Sequence, residues 1–322
     1  MLSLCASNLI VPKGPLMNIH ANLMLMACLF TSGAIAGTPS SGTVYIGASF
    51  GTHNVYKVTY QYDGIGSMTA TATILATLPS AADAAIVPGG DIVVAGQGAS
   101  VYKVNHADGS FATVNSGNNG NVVSLDPGGA KVWIGWTDAF PSAVPLNPFA
   151  NGTVHAVSGD DTVVTQLAFT PAGAFYTTGG SGAGNFGHID LNTFTTTRVL
   201  PSTYATGLHY DAFSRTLILA GLGHAAQYDP ANPAVALSSR NDSAAGENYL
   251  SLRPDGVGHL FGTRAGGSGG NPTGGRLVLI DYSTTGLVGD ATTVFVSTPI
   301  VDGLSGGVAV DTAIFADGFQ PR

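Results

Sequence analysis

LSLRPDGVGHLFG, from Leu250 to Gly262, contains a complete structural sentence: an apolar strand, a Pro-Asp-Gly turn and a second apolar strand that stops at glycine. The same sentence recurs along the chain. Short apolar runs close at Gly47, Gly96, Gly135, Gly179, Gly221 and Gly262 (TVYIG, DIVVAG, KVWIG, AFYTTG, TLILAG, GHLFG), at intervals of 49, 39, 44, 42 and 41 residues. A period of about 40 to 45 residues made only of short strands is that of a β-propeller, whose four-stranded units cannot bury both faces alone.

Working outward from each glycine, a third strand follows: NVYKVTY, SVYKVNH, GTVHAVS, NFGHIDL, HAAQYDP and GRLVLIDY. Turn residues such as Asp108-Gly109 and Asp229-Pro230 then lead into Thr- and Val-rich fourth strands, TATATILATL, FATVNSG, TVVTQ, TTTRVLP, AVALSSR and TTVFVSTP. β-branched residues at alternate positions suit a pleated, half-buried surface. The most apolar strands (AAIVPGG, VSLDPGG, LAFTPAG, LHYDAF, LSLRPDG, VAVDTA) read as innermost. The first glycine-terminated strand has no inner strand before it, and Val308 to Asp311 has no partners after it. The C-terminal strand is therefore expected to complete the N-terminal blade, which removes two aggregation-prone edges. The fold class that follows is all-β, a six-bladed propeller over residues 37–311; seven blades is the alternative, because AIFADG (Ala313 to Gly318) faintly resembles another glycine-terminated strand.

Only 9% of the 322 residues are charged, the formal net charge is -8, and no Lys/Arg cluster occurs, which argues against a nucleic-acid partner. Residues 23–36 (LMLMACLFTSGAIA) form an apolar stretch too short to span a bilayer and end in Ala34-Ile35-Ala36. Residues 1–36 are read as a signal peptide cleaved after Ala36, with lipidation at Cys28 as the rival, and the chain as secreted, periplasmic or displayed at the cell surface. Cys5 and Cys28 both lie in this leader, so no disulfide is expected in the body. No transmembrane segment is expected in the mature chain. Residues 312–322 form a short C-terminal tail.

In a propeller the inner strands all begin on one face, which also carries the loops between second and third strands. Asp83, Asn121, Gln166, Thr206, Glu247 with Asn248, and Asp302 with Ser305 fall at those opening positions. They are expected to ring the channel mouth as ligand-binding groups. Glu247, Asp302, Asp83 and Asn121 would supply the oxygen ligands that a Ca²⁺ ion requires. The insertions Thr137 to Asn151 and Arg264 to Gly275 belong to the same face, and Trp136 with Phe140 and Phe149 could form an aromatic platform for a glycan or peptide. Among the body histidines, His209 on an inner strand and His53 in a loop of that face are the candidate general bases.

The pattern of inner strand, Pro-Asp-Gly or Pro-Gly-Gly turn, apolar strand ending in glycine and V-Y-K-V strand resembles the NHL, YVTN and gluconolactonase-like (senescence-marker-protein) group of propellers, most clearly at Leu250 to Gly262. The resemblance implies the fold. For the gluconolactonase-like members it also implies a divalent metal held by Glu, Asn and Asp, although Glu247, the only body glutamate, comes late where that group's comes early. The function expected is an exported propeller that binds a small molecule, glycan or protein through its top face and channel mouth. The alternatives are a Ca²⁺-dependent hydrolase of lactone type and a structural or assembly role at the cell surface.

Overall fold

The computed structural model describes residues 37–48, 52–179, 183–204, 207–221, 223–242, 249–264, 275–296 and 307–310. Six sheets form six blades, each built outward from an inner strand. The inner strands are β4 (Asp83–Ile86), β8 (Val122–Leu125), β13 (Gln166–Thr170), β17 (Gly207–Asp211), β21 (Tyr249–Pro254) and β25 (Val308–Val310). They neighbour one another in that order around the axis, and β25 lies beside both β21 and β4.

Closure occurs where the sequence places it. β25 pairs antiparallel with β1 (Ser40–Gly47), matching Val44 to Val310, Tyr45 to Ala309 and Ile46 to Val308. β1 then continues into β2 (Asn54–Tyr62) and β3 (Met68–Thr77). A six-sheet ring is thereby shut; Ala313 to Gly318, the basis for a seventh blade, lies outside the described residues.

Burial runs in layers across every blade. All six residues of β18 (Thr216–Gly221) are buried, whereas β20 (Asn232–Asn241), the outer strand of the same blade, is mostly exposed. The buried apolar side chains fall into six clusters, and each cluster spans two adjacent blades. The cores therefore lie between blades, so no blade can be stable without its neighbours. At the closing seam, Val44, Ile46, Val58 and Tyr60 of the first blade meet Phe261, Leu277 and Leu279 of the sixth.

The recurrent glycines have a steric cause where they can be tested. Gly135 ends β9 (Lys131–Gly135) directly under the carbonyls of Val164 and Thr165, the chain arriving at the next blade, and a Cβ there would overlap both oxygens.

The third blade departs from the sequence reading. Its third strand is β10 (Ser142–Pro145), inside the stretch expected to be an insertion loop, and to this blade GTVHAVS supplies only the two-residue β11 (Thr153–Val154). Val144 is fully buried in the cluster shared with the second blade, which holds the segment in register. The stretch holds Pro141, Pro145 and Pro148, and Pro145 sits at the strand's end, where a missing N–H is tolerated. The TVVTQ segment likewise forms no fourth strand. Instead β12 (Ser158–Gly159) adds in parallel to β16 (Thr195–Tyr204), giving the fourth blade five strands.

Candidate functional site

Inner-strand side chains tie each blade to the next. Asp83, the first residue of β4, accepts the Val123 N–H of β8 at 2.9 Å. Ser124 Oγ accepts the Leu167 N–H of β13 at 3.1 Å, and Gln166 Oε1 accepts the Leu208 N–H of β17 at 2.8 Å. These bonds satisfy inner-strand donors that no ladder partner reaches, because the inner strand is the edge of its sheet. Asp83 and Gln166, expected at the channel mouth, and Ser124 beside them thus first hold the ring together.

Two of them also shape a cavity. A space of about 410 Å³ runs along the axis and is lined by residues of all six inner strands and of the turns after β4 and β8. Among the described residues its lining includes the strands' far ends, with Pro88, Pro127, Phe169, Tyr210 and Pro254. Ser124, Gln166, His209 and Arg253 supply the polar part, and Arg253 is the only charged lining side chain among the described residues.

Geometry assigns the protons. With its Oε1 committed to Leu208, Gln166 turns its amide Nε2 toward His209 Nε2 at 3.3 Å. That ring nitrogen must accept, which puts the imidazole proton on Nδ1. Burial, and after it the positive charge of Arg253, holds His209 well below the usual histidine range, so the ring is neutral.

Arg253 is the least satisfied group in the channel. Its terminal nitrogen lies 3.4 Å from both carboxylate oxygens of Asp83, its side chain is 14% exposed, and its Nε is buried without a hydrogen-bond partner among the described residues. Asp83 is better served, since it also accepts the N–H groups of Val123 and Ala84 at 2.9 Å each. Burial pushes the Asp83 carboxyl up, opposed by Arg253 and by those two N–H groups. The backbone of Gly307 packs on the same carboxylate so closely that a Cβ would overlap it.

The remaining sequence candidates divide into three sets. Thr206, Glu247, Asn248, Asp302 and Ser305 lie outside the described residues. Asn121 is half-buried just before β8, with its N–H given to the Gly135 carbonyl at 3.0 Å. His53 sits with a positive φ of 53° in the first blade and does not line the channel. Of the four residues expected to hold Ca²⁺, Asp83 and Asn121 are described; Asp83 faces the Arg253 guanidinium and Asn121 is half-buried before β8. Among the described residues no three His, Cys, Asp or Glu side chains gather to hold a metal.

Trp136 and Phe140 flank the start of the expected insertion, half-buried and 37% exposed respectively, while Phe149 packs against the cluster containing Val144. Trp133 instead serves the seam between the third and fourth blades, where it contacts Phe194 and the stacked His155 ring.

Two polar features escaped the sequence reading. Arg253 is a charged residue within LSLRPDG, one of the strands read as innermost. The second is a buried cluster under the closing seam: His259 Nδ1 meets Asp255 Oδ2 at 2.7 Å, and Asp281 Oδ2 accepts the Tyr62 hydroxyl at 2.7 Å. The spacing of Asp255 and His259, four residues apart around a turn, was its only local signal.

No protein-family model matches the chain, and no curated protein matches it. Solved structures do. A chain of a nidogen/laminin complex is 11% identical, with a TM-score of 0.60 over 84% of this chain and 98% of the other. A putative TolB from Agrobacterium tumefaciens is 12% identical, with a TM-score of 0.52 over 84% and 92%. A putative 6-phosphogluconolactonase from Bacteroides fragilis is also 12% identical, with a TM-score of 0.52 over 80% and 82%. Likeness at this identity establishes the β-propeller fold and nothing finer. Among the described residues no helix is long and apolar enough to cross a membrane.

Proposed function

We propose that this chain is an exported propeller that binds a small carboxylate in its central channel. The observation that carries the reading is Arg253, a partly exposed guanidinium whose buried Nε has no partner among the described residues while the cavity beside it has room for a ligand. A ligand carboxylate at that point would take the free Nε–H and receive a second hydrogen bond from His209 Nδ1. Charge-assisted bonds of this kind are roughly twice as strong as neutral ones. Asp83 has the supporting role, fixing the far side of the guanidinium through its own backbone anchors.

The other end of the cavity is apolar. Phe169, Tyr210 and three prolines would cover a hydrocarbon or aromatic body, so the preferred ligand is amphipathic, with its charged end innermost. Export is supported by the leader at residues 23–36. The neutral imidazole and the single arginine provide binding groups.

The test is a thermal-shift panel pairing monocarboxylates with their amides, for instance phenylacetate with phenylacetamide and hexanoate with hexanamide. At 100 times its Kd a ligand adds about 2.7 kcal/mol to stability, which a melt resolves easily. Carboxylates are expected to raise the midpoint, amides to leave it, and Arg253→Gln to abolish the carboxylate effect. Equal responses to acid and amide would remove the anion from the proposal; no response to any compound would remove the channel.

A further inference from the structure

The buried cluster at the closing seam sets two carboxyl groups against one imidazole; the other donors to them, the Tyr62 and Ser283 hydroxyls and the N–H groups of Ser283, Val257 and His259, are neutral. Asp255, Asp281 and His259 are 7%, 6% and 0% exposed. Asp255 pairs with His259 at 2.7 Å, and Asp281 Oδ1 lies 3.8 Å from the other ring nitrogen. Among the described residues no Lys or Arg pairs with either carboxylate. Two carboxylates thus share one imidazolium, and a net negative charge in a low-dielectric seam is costly.

What lies against this cluster is the start of the propeller. Gly37 donates its N–H to the Gly64 carbonyl at 2.6 Å, and its α-carbon packs so tightly on the Asp281 carboxylate that a Cβ would overlap it. Thr38 follows, with its N–H on Ser283 Oγ at 2.9 Å and its carbonyl accepting from His259 Nε2 at 3.0 Å. Independently, the sequence puts a small-x-small cleavage signature at Ala34-Ile35-Ala36, immediately before Gly37.

We infer that cleavage of the Ala36–Gly37 bond creates a positive charge at this cluster, so that the α-ammonium of Gly37 seats between the Asp281 carboxylate and the Gly64 carbonyl and locks the first blade to the sixth. The step is a hydrolysis by an endopeptidase acting on the exported chain. One water is added, the amide C–N bond breaks, Ala36 leaves as a carboxylate carrying the water oxygen, and the Gly37 nitrogen keeps its own hydrogen and takes both of the water's protons to become an ammonium. Glycine is the residue that lets this terminus approach Asp281. Maturation then adds an ion pair to the seam that the precursor, with an uncharged amide at the same nitrogen, lacks.

The test uses the processed protein secreted by a bacterial host carrying the full chain. Its first residue, by N-terminal sequencing, is expected to be Gly37. Acetylation of the α-amine, which removes the charge but keeps an N–H, should lower the melting midpoint by about 2 °C or more, whereas reductive dimethylation, which keeps the charge, should lower it less. Asp281→Asn should erase the difference between acetylated and free protein. Should that variant not fold, the ¹³C-dimethylated amine gives a second readout: it should titrate higher in the folded protein than in urea, where the ordinary value for an α-amine is about 7.7 to 8.0. A different first residue, equal melting of the acetylated and free forms, or identical titration folded and unfolded would each overturn the inference.

Discussion

At the scale of single residues, His259 gives the protein a pH-dependent seam. Burial alone would push its imidazole down, but the Asp255 hydrogen bond and charge, the Asp281 charge and the Thr38 carbonyl together raise it above the ordinary value. A raised histidine contributes stability fully below the unfolded value, about pH 6.5, and the contribution is lost as pH rises through the folded value. His209, held low, acts on the other side, since protonation below about pH 6.5 favours the unfolded chain. Denaturant melts between pH 6 and 9 should therefore show stability declining as pH rises, and His259→Gln should flatten that decline while lowering stability at pH 6. An unchanged slope in the variant would mean that His259 does not carry the effect. Such residues were the least legible part of the sequence. Asp83 and Gln166 were found because they open inner strands, but their first task, receiving the next blade's N–H, depends on contacts 40 and 42 residues away that no local pattern encodes.

At the scale of elements, the third blade offers the sharpest contrast between sequence and structure. Inner and second strands were legible everywhere because burial on both faces leaves near-continuous apolar runs ending at a glycine. β10 was not, because Pro141, Pro145 and Pro148 crowd a four-residue strand whose only strongly buried apolar side chain is Val144. Val144→Ala should cost about 2 kcal/mol, as for other large-to-small changes in a packed core. Val154→Ala, at a position 37% exposed, should stay within about 0.5 kcal/mol. Comparable costs at the two sites would restore GTVHAVS as the third strand. The same logic applies to the closing strand. Val308 is 3% exposed between β1 and the inner ring, so Val308→Asp should destabilise strongly and, by freeing the β1 edge, produce self-association visible by size-exclusion chromatography. A monomer of unchanged stability would show that closure does not depend on β25.

At the scale of the whole molecule, six clusters placed between blades make the ring the unit of stability and the channel its one shared feature. The ring was legible from a period, which survives when individual residues drift. The channel's character was not, because it depends on which side of each inner strand faces the axis, and a one-residue change of register reverses that. The sequence suggested an acidic mouth for a cation on one face. Thr206, Glu247, Asn248, Asp302 and Ser305 of that face lie outside the described residues, which present a single arginine, a neutral imidazole and an apolar end to the channel. The most direct measurement is anomalous diffraction from crystals soaked in 4-bromophenylacetate. The account predicts a bromine peak at the apolar end of the channel near Phe169 and Tyr210, with the carboxylate on Arg253; a channel empty of the compound at saturating concentration, or a bromine beside Arg253 with the carboxylate turned outward, would contradict it.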